Sequence, residues 1–247
     1  MTRRFFSASS EHQLGEGNDP MRELRKLGRF PLFDLILGIG LSLILGADDP
    51  AATISLFDGK SLEGWHRAET YKGGAVKAEG GTLLLEAGGP MTAVACSRAD
   101  LPTTDYELTY EARRAKGSDF FAAATFPVGK SFVTLVNGGW GGSVTGLSSL
   151  NGSDASENET RQFVKYENDI WYKFRIHVTS AVIRCWVDDK AIFAVNYQDL
   201  QVKTRIETRP CQPLGFASYR SEGAIRAIQI RRLKPDEIQS NNQSAER

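Results

Sequence analysis

From Thr53 to Leu233 the chain reads as one short apolar–polar alternation after another, with no amphipathic helix of ten or more residues. The clearest run is Tyr106 to Arg113, where Tyr106, Leu108, Tyr110 and Ala112 alternate with Glu107, Thr109, Glu111 and Arg113. Successive side chains of a strand point to opposite faces, so this run has one apolar and one charged face. Trp171 to Val178 repeats the pattern, and Thr179-Ser180 then predicts a tight hairpin into Ala181 to Val187. Asp188-Asp189-Lys190 turns the chain into Ala191 to Val195. Further strands are predicted at 54–57, 75–78, 82–86, 93–97, 120–126, 131–136, 161–166 and 214–219, punctuated by Gly, Asn and Asp. In a last strand, Ala224 to Leu233, Ile225, Ala227 and Gln229 oppose Arg226, Ile228 and Ile230. Many short strands without helices predict an all-β sandwich or barrel. No fixed repeat period appears, which disfavours a propeller.

A chain of 247 residues that is 41% hydrophobic and 24% charged can fill one sizeable core. Its 30 basic and 30 acidic side chains cancel, so the basic footprint of a nucleic-acid binder is absent and nucleic acid is not an expected partner. The three cysteines, Cys96, Cys185 and Cys211, lack CxxC spacing, which argues against zinc and leaves room for one bridge and one spare thiol. No G-x-S-x-G elbow, Walker loop or H-E-x-x-H motif occurs, which disfavours serine hydrolase, NTPase and zinc protease chemistry.

The first fifty residues read as an address. A basic stretch (residues 22–29) precedes an apolar one (35–46), a small residue, Ala47, and then an acidic Pro-containing segment. That order predicts a signal peptide over 21–47 and a secreted, periplasmic or cell-surface protein. The apolar stretch is short of the roughly 20 residues that span a bilayer, so a membrane partner is expected only if the segment is not cleaved. Residues 1–20 read as a gene-model extension or a disordered tail. The sandwich domain is predicted at 48–235, with a polar, disordered tail at 236–247.

The stretch Leu56-Phe57-Asp58-Gly59-Lys60-Ser61-Leu62-Glu63-Gly64-Trp65 resembles the opening signature of the 3-keto-disaccharide hydrolase domain family. Three later stretches extend the resemblance over about 54–233: Tyr106 to Arg113, Trp171 to Ile176, and the closing Leu214-Gly215-Phe216 with Ala227 to Arg231. The resemblance implies a concanavalin A-like jelly roll of two antiparallel sheets in an exported protein. It also implies cleavage of glycosides whose sugar is oxidised at C3. Many members carry a strand of the form E-hydrophobic-Q-hydrophobic-x-D; here the corresponding Phe132-Val133-Thr134-Leu135-Val136-Asn137 has neither the acid nor the glutamine.

A C3 ketone acidifies the proton on C2, so the aglycone can leave by elimination. Such a route needs a base, a group facing the enolate and an acid for the leaving oxygen. Glu111, Asp119 and Glu159 are the candidate acids, with Arg113 and Arg161 as charge stabilisers. Glu111 and Arg113 share their strand face with Glu107 and Thr109, and the competing reading is a solvated outer face. Asp119 either holds a hydroxyl or metal or caps its turn. Asn137-Gly-Gly-Trp140-Gly-Gly presents a large ring in a glycine-rich loop, for stacking on a sugar or for plugging the sandwich edge. The stretch 151–161 concentrates acids, amides and Arg161; it is a solvated loop, a sugar-hydroxyl site with Asn158, or a site for a divalent metal such as calcium. His177, in mid-strand, is more readily structural than acid/base, and His66 is weaker still. Two functions compete: an enzyme on oxidised glycosides, which the acids and arginines after Trp140 favour, and a non-catalytic carbohydrate-binding or cell-surface module, which the missing acid and glutamine favour.

Overall fold

The computed structural model describes residues 52–244; the predicted signal segment and the residues before it lie outside them. In chain order the first strands are β1 (Ile54–Ser55), β2 (Trp65–Arg67), β3 (Val76–Glu79), β4 (Thr82–Leu85), β5 (Met91–Cys96), β6 (Tyr106–Gly117), β7 (Ala123–Val128) and β8 (Ser131–Gly139). There follow β9 (Val144–Ser148), β10 (Gln162–Phe163), β11 (Tyr172–Val178), β12 (Val182–Val187), β13 (Lys190–Asn196), β14 (Gly215–Tyr219) and β15 (Ser221–Arg232). A helix, α1 (Pro235–Ser244), closes the described chain.

The strands form two antiparallel sheets of a jelly-roll sandwich. The first has the order β13-β12-β11-β6-β15-β4-β3, with β1 paired along β15; the second has the order β10-β9-β8-β7-β14-β5-β2. The apolar rows meet between them. Tyr106, Leu108, Tyr110 and Ala112 of β6 join Phe174 and Ile176 of β11 and face Phe126, Leu135 and Phe216 of the second sheet. Tyr110 lies with its ring 4.9 Å from both Phe174 and Phe216. Each such side chain removed from water contributes about 1.5–3 kcal/mol. Trp65, from the opening motif, stacks on Phe216 at 5.9 Å and donates its indole N–H to the Leu56 carbonyl at 2.7 Å.

The predicted alternation of the last strand breaks at a bulge. Register shifts between Arg226 and Gln229, Ala227 takes a φ of 50°, and Ile225, Ile228 and Ile230 all reach the core. An extra residue in one strand switches which side chains face inward. Two strands lie where no strand was expected: β2 follows the opening turn, and β9 lies within the glycine- and serine-rich stretch after Trp140. All three cysteines are free and buried, so no bridge forms among them.

The polar segment predicted as a disordered tail is instead helical as far as it is described. Pro235 opens α1, and Glu237 of its first turn accepts from the Lys234 amide at 2.8 Å. Arg231 of β15 grips Glu237 with two bonds of 2.8 and 2.7 Å and donates Nε to Glu107 of β6 at 2.8 Å. Buried His177 sits beneath the helix, its Nε2 2.7 Å from Glu107 Oε2 and its Nδ1 2.8 Å from Asn241 Nδ2. Charge pairing, not an apolar stripe, docks α1. That places His177 in a structural network on the outer face of the first sheet.

Candidate functional site

The outward face of the second sheet is built from small residues. Where Ala124, Val133, Leu135 and Phe216 point inward, their neighbours Ala123, Thr134 and Ala217 point outward. One half of that face is covered by the segment leading through a 3₁₀ turn at Arg209–Cys211; Cys211 packs with Ala93, Ala95 and Ala217. A hydroxyl ladder fixes the segment, with Thr125 Oγ1 2.9 Å from Thr134 Oγ1 and Thr134 Oγ1 2.9 Å from Thr208 Oγ1.

The other half is an open cleft of 660 Å³. Ala123, Thr134, Val136 and Ser148 form its floor. One wall is the Phe120–Tyr219 pair, with centroids 5.5 Å apart. Tyr71, Trp140 and Ile206 stand around the mouth, with 74%, 46% and 72% of their surface exposed. Flat apolar surface with a few polar groups is what a sugar ring meets in a stacking site.

Asp119, Glu69, Glu207 and Arg205 supply the charge. Asp119 caps its own turn with Oδ1, which accepts from the Phe120 amide at 2.8 Å, while Oδ2 accepts from the Gly141 amide at 3.0 Å. Arg205 binds Glu207 through Nε and Nη2 at 3.2 and 3.3 Å, and the adjacent guanidinium holds the Glu207 carboxyl below its ordinary range. Arg205 also pairs with Asp154, whose other oxygen accepts from Ser148 Oγ at 3.1 Å. Glu69 is exposed at the mouth, and no ion pair holds it among the described residues.

The predicted site residues divide between regions. Asp119 and Trp140 line the cleft. Glu111 and Arg113 stand on the outer face of the first sheet, with the core between them and the cleft; packed sheets lie about 10 Å apart. There Glu111 accepts from Arg226 Nε at 2.8 Å, Arg113 bonds Asp169 at 3.3 Å, and Trp171 takes both guanidinium groups against its ring. Asn137 is wholly buried in β8, and its amide has no partner among the described residues. Asn158 organises its own loop, giving Nδ2 to the Leu147 and Ser153 carbonyls and accepting from the Thr160 amide and hydroxyl. Arg161 donates to the Ser156 carbonyl at 2.8 Å and lies over Phe163; Glu159 is exposed.

Asp154 is occupied by Arg205 and Ser148, and Asn158 Oδ1 by Thr160. Among the described residues no group of three or more His, Cys, Asp or Glu side chains could hold a metal ion. Glu69, Arg205 and Glu207 went unread in the sequence because they sit on irregular segments with no periodicity. The flanking Pro210 and the Arg-Ile-Glu triplet at 205–207 were the available signals.

Solved structures are similar to the chain. Domain 4 of AbnA, a GH43 extracellular arabinanase from Geobacillus stearothermophilus solved with arabinotriose, is 15% identical with a TM-score of 0.50, over 77% of this chain and 97% of that one. The carbohydrate-binding module CBM66 from Bacillus subtilis is 10% identical with a TM-score of 0.46, over 68% and 95% of the two chains. A glycosyl hydrolase family protein from Mycobacterium fortuitum is 12% identical with a TM-score of 0.45, over 73% and 97%. No curated protein matches the chain. Residues 52–231 match the 3-keto-alpha-glucoside-1,2-lyase-like domain model, the family that the opening motif resembles, and the chain belongs to that family.

Proposed function

We propose that the cleft on the second sheet receives a glycoside oxidised at C3 and cleaves it by elimination followed by hydration. The observation that carries this reading is a cleft holding an unpaired carboxylate, Glu69, beside an aromatic rim. In the proposed step Glu69 takes the proton from C2, the C1–O bond to the aglycone breaks, and a C1–C2 double bond forms. A water molecule protonates the leaving oxygen, and the resulting hydroxide adds at C1 while Glu69 returns its proton to C2. Arg205 is the cation of the cleft and faces the enolate oxygen; Asp119 holds the Trp140 loop and meets sugar hydroxyls. The basic and apolar segments before Asp48 support export.

A second reading rests on one observation. Thr134, on the floor of the cleft, stands where many family members carry a glutamine, and the acid of that β8 pattern is missing as well. A cleft floored this way suits a non-catalytic sugar-binding module. Incubating the full chain with a panel of 3-keto-glucosides separates the two. Turnover that Glu69→Gln abolishes supports the enzyme. Binding without turnover, lost in Trp140→Ala, supports the module.

A further inference from the structure

The inward row of β6 runs Tyr106, Leu108, Tyr110, Ala112 and then Arg114, a cation at a core position. Arg114 is only 6% exposed. Its three bonds all end on neutral oxygens: Nε on Asn168 Oδ1 at 2.6 Å, Nη2 on the Tyr166 carbonyl at 2.7 Å, and Nη1 on the Asp119 carbonyl at 3.3 Å. No carboxylate pairs with it directly among the described residues. The Asp119 carboxylate is held instead by the Phe120 and Gly141 amides. A buried charge without a counter-charge is costly, and an anion beside it offsets that cost.

Arg114 opens onto a second depression of 410 Å³, lined also by Ser118, Gly142, Ser143, Phe163 and Lys165. No acidic side chain among the described residues lines this groove, whereas Glu69, Asp119 and Glu207 line the cleft. Lys165 pairs with Glu167 at 3.1 Å, but both are exposed, so that pair leaves its ammonium available at small cost. One loop separates the two depressions: Trp140 lines the cleft and Gly141 lines the groove. Gly142 is needed there, because a Cβ at this residue would approach the Ser118 carbonyl to 2.8 Å.

We propose that this groove is an oxyanion subsite, taking a carboxylate or sulfate on the sugar unit adjoining the one in the cleft. The saccharide part rests on the sugar-cleft reading; the anion site does not. The ligand class that follows is an acidic glycoside whose neutral ring meets Trp140 and whose charged substituent meets Arg114 and Lys165.

The test is titration of the ¹⁵N-labelled full chain with glucose, glucuronic acid, glucose 6-sulfate and inorganic sulfate at matched ionic strength. We expect the Gly142 and Ser143 amides to shift saturably with the charged ligands. We expect at least one acidic sugar to bind about tenfold tighter than glucose, as one charge-assisted contact supplies. The tighter acidic sugar identifies the substituent. Lys165→Glu and Ser143→Glu should each erase the preference; neither touches the bonds that Arg114 makes in the core. Equal affinity for acidic and neutral sugars, or a preference that survives both variants, would overturn the proposal. Sulfate shifts in the groove without glucose shifts in the cleft would uphold the anion site and defeat the sugar-cleft reading.

Discussion

Asp119 Oδ2 accepts a 3.0 Å hydrogen bond from the Gly141 amide, and this bond ties the wall of the cleft to the loop that presents Trp140. Asp119 Oδ1 accepts from the Phe120 amide at the same turn, so one carboxylate positions two of the aromatic rings around the cleft. Replacing it should act on both. Asp119→Ala removes two charge-assisted bonds and should cost about 1–3 kcal/mol in urea unfolding. It should also raise the hydrogen-exchange rate of the Gly141 amide.

Trp140→Ala tests the aromatic mouth. Trp140 is half exposed and its φ is 49°, so the ring contributes little to the core and the backbone there is strained for any side chain but glycine. Affinity for a neutral glycoside should fall about tenfold, while the melting temperature stays within a few degrees. Calorimetric titration and a thermal melt check both halves.

Docking of α1 should depend on pH. The Arg231 bonds lower the Glu237 carboxyl from 4.5 to about 2. Burial raises the Glu107 carboxyl, but its bonds to His177 and Arg231 outweigh that and leave it lowered. A carboxyl lowered in the folded state stabilises it above its unfolded pKa, and that stability is lost as pH falls through the folded value. Protection of the α1 amides should therefore be constant near neutrality and decline from about pH 4.5 towards 2. Asn241→Ala, which removes a buried side chain bonded to His177 and the Glu237 carbonyl, should cost about 1–3 kcal/mol at neutral pH.

The cysteines should be silent until the chain unfolds. Burial pushes the Cys211 thiol up to about 12 and raises those of Cys185 and Cys96. A thiol-reactive probe should label none of the three in native protein and all three in denaturant.

The first sheet was legible where a strand buries one face and leaves the other partly exposed. The alternation of Tyr106 to Arg113 survives intact in β6, with the apolar row inside and the charged row outside. Ala227 broke the same reading in β15, since a bulge leaves no mark in apolar periodicity. The α1 helix was hidden because Glu237 and Asn241 dock it through polar bonds, and a polar composition reads as disorder. The cleft was half legible. Asp119 and Trp140 announced themselves by turn chemistry and by a ring among glycines. Glu69 and Arg205 reach the same place from segments far apart in sequence, and only the fold of the second sheet brings them together.

On the proposed function, glycoside chemistry belongs to the cleft on the second sheet and not to the charged face of the first. The measurement is turnover of a 3-keto-glucoside panel by the full chain and by Glu69→Gln and Glu111→Gln, each confirmed folded by circular dichroism. Turnover should fall about 10²–10⁴-fold in Glu69→Gln, as loss of a general base does, and be unchanged in Glu111→Gln. Turnover lost in Glu111→Gln and retained in Glu69→Gln would contradict it.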